Sequence, residues 1–242
     1  MIINTYNETR LHETLKTLYQ VSTGGMSEVK VESYVADVLT PDGSIIEIQT
    51  ANLSSLKEKL AFFLSHGHKV KVVYPLAVSK TIETRNEKTG KITRRKSPVK
   101  KNIFSIFGEI TGLTPFLLDE HFTLEVLEAD VTEERLKLSA AVQSQNKRRR
   151  VKKNWLKTGK RLDTLGQRFS FCGRASYERL LPKGLVSPFC KNDFYTLLCD
   201  QNPNIKIKKD DASVMLWVFE KLLLVESAGK KGNLKLYCIP SY

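Results

Sequence analysis

The chain has 242 residues, 39 Lys and Arg against 26 Asp and Glu, and a formal net charge of +13. Its hydrophobic fraction of 41% supplies a folded core and argues against intrinsic disorder. No apolar run approaches the roughly 20 residues of a membrane helix. The opening residues MIINTYNETR carry no secretory pattern, and Cys172, Cys190, Cys199 and Cys238 lack metal-ligand spacing. A cytoplasmic protein with free thiols and no membrane partner is therefore expected.

In chain order, a cap at Asn7 or Thr9 starts a helix that runs to about Tyr19, with Leu11, Leu15 and Leu18 as its apolar stripe, and Gly24-Gly25 ends it. Residues 28–39 read as one strand and 45–50 as another, joined by Pro41-Asp42-Gly43. Gly suits the left-handed position that closes a three-residue hairpin loop, which pairs Thr40 with Ser44 and places Asp37 opposite Glu47. Gln49 then shares their face by the two-residue period. Ile45, Ile46 and Ile48 put apolar groups on both faces, the mark of a strand covered on both sides.

Residues 53–65 read as a helix and 69–78 as an apolar strand. A charged hairpin or loop over 80–101, tipped by Thr89-Gly90, follows, then a helix over 103–113 and a last strand over 122–127. Residues 131–160 read as a basic helix or linker between two domains, 1–130 and 161–242. The second has short helices at 174–181, 191–199 and 211–224, then two strands around Gly229-Lys230-Lys231-Gly232-Asn233. Helices followed by a hairpin with a basic tip is the order of a winged helix-turn-helix, with the last helix as the reader.

The charge is gathered in runs. Residues 135–161 hold eleven Lys and Arg and no acid, and 80–101 hold nine against Glu83 and Glu87. Such patches attract polyanions and release counterions from a phosphate backbone. The expected partner is double-stranded DNA, held by Arg94, Arg95 and Lys96, by Arg148, Arg149, Arg150, Lys152 and Lys153, and by Lys230 and Lys231. Trp155 is placed to stack on a base or to dock the linker on a domain. Ser213 and Lys221 are the polar positions of the last helix that would face DNA.

Two facing carboxylates on adjacent strands repel unless a cation lies between them. Oxygen ligands on a rigid sheet suit Mg²⁺, or Mn²⁺ in its place. The alternative is that a nearby Lys neutralises one carboxylate. In the first helix Glu8, His12 and Lys16 share a polar face, with Glu13 one position round. Glu8 is the first choice for a further contact to metal or water, ahead of Glu13, and Glu28 also begins the strand near the site. His12 reads as a hydrogen-bonded partner of a neighbouring carboxylate.

The order helix, hairpin with Asp, strand with Glu-x-Gln, helix, strand, carried here by YVADVLTPDGSIIEIQT, resembles the PD-(D/E)XK or restriction-endonuclease-like nuclease superfamily over residues 8–80. The resemblance implies an α/β fold with a mixed sheet flanked by helices, followed here by the mainly α winged-helix domain. It implies that Asp37 and Glu47 bind the metal, with Gln49 in the place usually held by Lys and Ala36 where Pro is usual. Gln orients a water but carries no charge, so a compensating cation from Lys57 or Lys59 is expected. LHETLK, IIEIQT, VVYPL, RRKSP, KRRR and KKGN are also similar to an uncharacterised bacterial family that joins a nuclease-like front to a winged-helix back.

Two readings stay open from sequence. One is a Mg²⁺-dependent DNA endonuclease with Asp37, Glu47, Gln49 and Glu8 in the site. The other is a non-catalytic DNA-binding regulator or docking protein built on a degenerate nuclease fold, in which a homodimer is a further expectation. An RNA-directed nuclease is a weaker option besides these two.

Overall fold

A computed structural model describes residues 9–143 and 151–240. Helix α1 (Arg10–Thr23) begins at Thr9, whose hydroxyl accepts from the His12 N–H, and ends at Gly24, which takes φ of 67°. Its buried Leu11, Leu15 and Tyr19 pack on Val38, Ile46, Ile48, Val73 and Leu127, covering one face of the sheet. Burial of each such side chain contributes about 1.5–3 kcal/mol.

The single strand expected over 28–39 is instead a hairpin of β1 (Met26–Val31) and β2 (Tyr34–Leu39). It turns at Glu32, whose φ is 50°. No Gly, Pro or Asn marks this turn, so composition concealed it. From β2 to β3 (Ile45–Ile48) the expected three-residue loop is present: Thr40 N–H donates to Ser44 O at 2.9 Å, and Gly43 takes φ of 79°. All four β3 residues are buried, as a strand covered on both faces requires.

Helix α2 (Lys57–Ser65) then carries the chain to β4 (Val70–Asn86), parallel to β3. β4 is 17 residues long, and its second half pairs with β5 (Ile92–Lys96) in the expected charged hairpin. β5 thus takes the edge of β4 beyond the point where β3 ends. The short helix α3 (Ile106–Ile110), flanked by tighter turns, leads to β6 (Phe122–Val142), parallel to β4.

The largest departure from expectation follows. β6 does not stop at Leu127, and the described residues of the 131–160 segment are mainly strand in place of the expected helix or linker. β6 runs 21 residues and pairs antiparallel with β7 (Lys153–Phe171). At about 3.3 Å per residue β6 spans about 70 Å. The mixed sheet has the order β1-β2-β3-β4-β6-β7. Beyond the core its strands continue as an arm of order β5-β4-β6-β7, so the front unit extends to Phe171 and past the expected limit of residue 130.

The remaining chain forms α4 (Gly173–Glu178), β8 (Phe189–Cys190), α5 (Lys191–Asp200), α6 (Lys209–Lys221), β9 (Glu226–Lys231) and β10 (Leu234–Cys238), with a small antiparallel sheet of order β8-β10-β9. Its core is continuous with that of the front. Phe219 of α6 meets Phe107 of α3 edge-on at 5.4 Å and Phe194 of α5 at 6.3 Å. Asn102 donates to Lys206 O at 2.9 Å, and Ser105 to Asp211 at 3.2 Å. No helix among the described residues is long and apolar enough to cross a membrane.

Candidate functional site

The β2–β3 ladder pairs Leu39 with Ile45 and Val38 with Ile46, and the next step brings Asp37 opposite Glu47. There the strands separate, and the side chains replace the ladder. Ile48 N–H donates to Asp37 Oδ2 at 2.7 Å, and Asp37 N–H to Glu47 Oε1 at 3.4 Å. Each carboxylate takes a backbone donor from the opposite strand, which satisfies a group that burial would otherwise leave costly. Register and local hydrogen bonding together fix the pair.

Helices on either side supply the counter-groups. His12 of α1 places Nε2 3.4 Å from Asp37 Oδ2, in the partner role expected of it. Lys59 of α2 donates to Glu47 Oε2 at 2.5 Å and to Val35 O at 2.6 Å. Of the two lysines considered for compensation, Lys59 reaches the site and Lys57 is exposed. Burial pushes the Asp37 carboxyl up, but the His12 hydrogen bond, the Ile48 N–H and the charges of His12 and Lys59 outweigh it and hold Asp37 below the usual range. Glu47, 1% exposed, is pushed up to about 7 by burial and by the Asp37 charge, with Lys59 opposing. The two carboxyls thus have opposite tendencies: Asp37 stays ionised, while Glu47 exchanges its proton near neutrality.

Gln49 N–H donates to Val73 O, and its Nε2 donates to Asn52 O at 3.0 Å and Ser55 Oγ at 2.6 Å. The amide is tied to the following loop. Glu28 and Lys16 form a neighbouring pair at 2.7 Å, and Glu13 is exposed. Glu8 lies outside the described residues. Mg²⁺ is held through one or two carboxylates, with waters and substrate oxygens completing its shell. Asp37 and Glu47 supply that donor set and fit such an ion. Among the described residues no group of three or more His, Cys, Asp and Glu is gathered for a metal.

The basic residues are distributed along the arm. Arg94, Arg95 and Lys96 lie on β5, opposite Glu83, Ile82 and Thr81 of β4. Glu47 pairs with Val72 on the same strand. The interval from Val72 to Glu83 corresponds to about 36 Å of strand, so this basic triplet does not lie beside the carboxylates. Arg94 is also engaged with Glu83 at 2.7 Å. Lys152 and Lys153 lie where β7 begins, at the far end of the arm, and Arg148, Arg149 and Arg150 fall outside the described residues. Trp155 of β7 stacks beneath the Arg135 guanidinium at 3.7 Å, within the arm.

Lys230 and Lys231 are exposed strand residues that flank a two-residue turn at Gly232-Asn233, tighter than the five-residue tip expected. On α6 the buried side holds Ala212, Met215, Leu216, Val218 and Phe219, leaving Trp217 and Lys221 outward. Sequence reasoning did not identify a second polar cluster. Glu125 of β6 is buried and accepts from Tyr19, with Lys71 at 3.6 Å and Arg168 at 3.5 Å. A Glu within an otherwise apolar strand was its one signal.

A family described as Domain of unknown function (DUF8091) matches residues 9–172, from the cap of α1 to the end of β7. A protein of Treponema pallidum (strain Nichols), described as uncharacterized, is 39% identical over 127 residues, covering 52% of this chain and 50% of that protein. The chain therefore spans about half the length of that relative. No solved structure matches.

Proposed function

The chain belongs to the DUF8091 family, and for it we propose a nucleic-acid-binding protein that acts as a Mg²⁺-dependent DNA endonuclease. The observation that carries the reading is the buried Asp37–Glu47 pair, held where β2 and β3 separate and flanked by His12 and Lys59. Support also comes from the order helix, hairpin, strand, helix, strand through residue 86, the layout of restriction-endonuclease-like nucleases. The basic arm offers phosphate contacts that position a duplex without reading its sequence. The carboxy-terminal order of helix, short strand, two helices and hairpin suits a winged helix.

In this reading Asp37 and Glu47 hold the ion, which supplies a bound water of lowered pKa and charge stabilisation at a phosphate. Asp37 provides the fixed negative charge. Glu47 provides a carboxyl that gains or loses a proton near pH 7. Lys59 supplies the positive charge that Gln49 lacks, and Gln49, whose amide nitrogen is taken up by Asn52 O and Ser55 Oγ, has its amide oxygen to orient a water. Plasmid nicking with Mg²⁺ tests this: the wild type cuts, while Asp37→Ala and Glu47→Ala lose about 99% of the activity or more, the lower bound for removing such a group being about 100-fold. Equal nicking by all three proteins refutes it.

Two observations favour a second reading, a non-catalytic DNA-binding protein on a degenerate nuclease fold. Lys59 already neutralises Glu47, and the Gln49 amide is fastened to Asn52 and Ser55. That reading predicts salt-sensitive duplex binding which survives Asp37→Ala, with no cleavage by the wild type.

A further inference from the structure

Just past β3, where the arm leaves the core, lies a cavity of about 230 Å³. Residues 50–52, the loop to which Gln49 is tied, form part of its wall. Four lysines converge on it: Lys80 of β4, Lys101 ahead of α3, and Lys157 and Lys160 of β7. Two glutamates also line it, and both are engaged. Glu109 pairs with Lys101 at 2.6 Å, and Glu133 pairs with Lys80 at 3.3 Å and with Arg135.

Lys160 stands across the β6–β7 ladder from Glu133, and Lys157 across from Arg135. Among the described residues neither forms an ion pair. Lys160 shows the cost of this convergence: burial, then the charges of Lys157, Lys101 and Lys80, pull its ammonium down to about 8. The positive charges exceed the acids in the cavity lining, four lysines against two glutamates that are already paired. An anion with several oxygens would relieve the repulsion, and lysines suit phosphate as mobile point charges.

We propose that this cavity is a phosphate-binding site that takes a backbone phosphate of the strand passing Asp37 and Glu47. The proposal rests on the nucleic-acid reading for the source of the phosphate. The strand is favoured over a free anion because the loop that follows Gln49 forms part of the cavity wall, and because Lys153 continues the positive charge along β7.

The test is amine acylation at pH 8 mapped by mass spectrometry, on the full chain alone, with a short DNA duplex, or with inorganic phosphate. Saturating duplex is expected to protect Lys157 and Lys160. In parallel, Lys157→Gln and Lys160→Gln each lower the slope of log binding constant against log salt by about 1, and Lys160→Arg keeps it. Lys157 is exposed, so its variant reports on the site even where Lys160→Gln weakens the fold. A duplex that binds with both lysines unprotected and both slopes unchanged overturns the proposal and leaves nucleic-acid binding intact. Absence of duplex binding by the wild type overturns the strand as the source. If inorganic phosphate then protects Lys160, the cavity is a free-phosphate site; protection by neither anion overturns the site itself.

Discussion

Lys59→Met isolates the electrostatics of the carboxylate pair. In the native protein Glu47 titrates at about 7, against about 4.5 when unfolded. Its folded-state pKa lies above the unfolded one, so its contribution favours folding below about pH 4.5 and is lost as pH rises through about 7. At about 1.4 kcal/mol per pH unit, the loss across that window is about 3 kcal/mol. Removing Lys59 takes away the opposing charge and drives Glu47 higher still. Because Glu47 can keep its proton, the added loss is bounded at about 1.4 kcal/mol for each pH unit above 7. At pH 6, where Glu47 is protonated in both proteins, Lys59→Met costs only its hydrogen bonds to Glu47 and Val35 O, about 1–2 kcal/mol together. At pH 9 the cost grows by up to about 3 kcal/mol. Urea unfolding of both proteins from pH 6 to pH 9 measures the difference. A cost that stays constant over that range refutes the coupling, and Glu47→Gln combined with Lys59→Met should abolish the pH-dependent part.

Phe219→Ala should cost about 3–5 kcal/mol in urea unfolding, with one transition, because Phe219 bridges Phe107 of the front to Phe194 of the back; two separated transitions would contradict a shared core. A Cβ on Gly112 would collide with Ser54 Oγ and come within 2.7 Å of Ser54 Cβ. Gly112→Ala should therefore cost about 1–3 kcal/mol and, by moving the loop next to Ser55, disturb the Gln49 amide, read as a shifted side-chain NMR signal. Arg95→Ala and Lys96→Ala should each lower the salt slope of duplex binding by about 1 and leave the turnover of bound DNA unchanged, since their strand positions lie far along β4 from Glu47; an equal fall in turnover would place them at the reacting phosphate.

The core was legible where burial imposed a period. Pro41-Asp42-Gly43 fixed the Asp37–Glu47 register, and the Ile45–Ile48 run announced a doubly covered strand. The arm was not legible for a physical reason. VTEERLKLSAAV is rich in residues that favour helices, and past Val131 and Thr132 neither face of the arm is deeply buried, so no alternation of apolar and polar side chains marks a strand. Its conformation comes from pairing with β4 and β7, a tertiary cause that overrides local preference. The β1–β2 turn failed differently: Glu32 adopts positive φ without Gly or Asn to signal it. The lysine cavity is assembled from β4, the 101 segment and β7, and no local pattern could have joined them.

Gln49 and Lys59 belong to one electrostatic problem. Two carboxyls at the split of a sheet need a positive charge, and here it comes from α2 instead of from β3. Lys59 is held at both ends, by Glu47 and by Val35 O, and removing it costs more than breaking a surface pair because the Glu47 carboxylate is then left buried without a counter-charge. A bound divalent ion would share Glu47 with that ammonium. The two functional readings therefore differ in how the same charge is used. For a nuclease, Lys59 moderates the carboxyl until metal and substrate add their own charges. For a binding protein, Lys59 is the whole of the compensation, and the pair is a structural clasp between β2, β3 and α2. Mg²⁺ should stabilise the protein against urea in the first case and have no specific effect in the second, and the sign of that linkage depends on Glu47 being ionised, so it strengthens as pH rises through about 7.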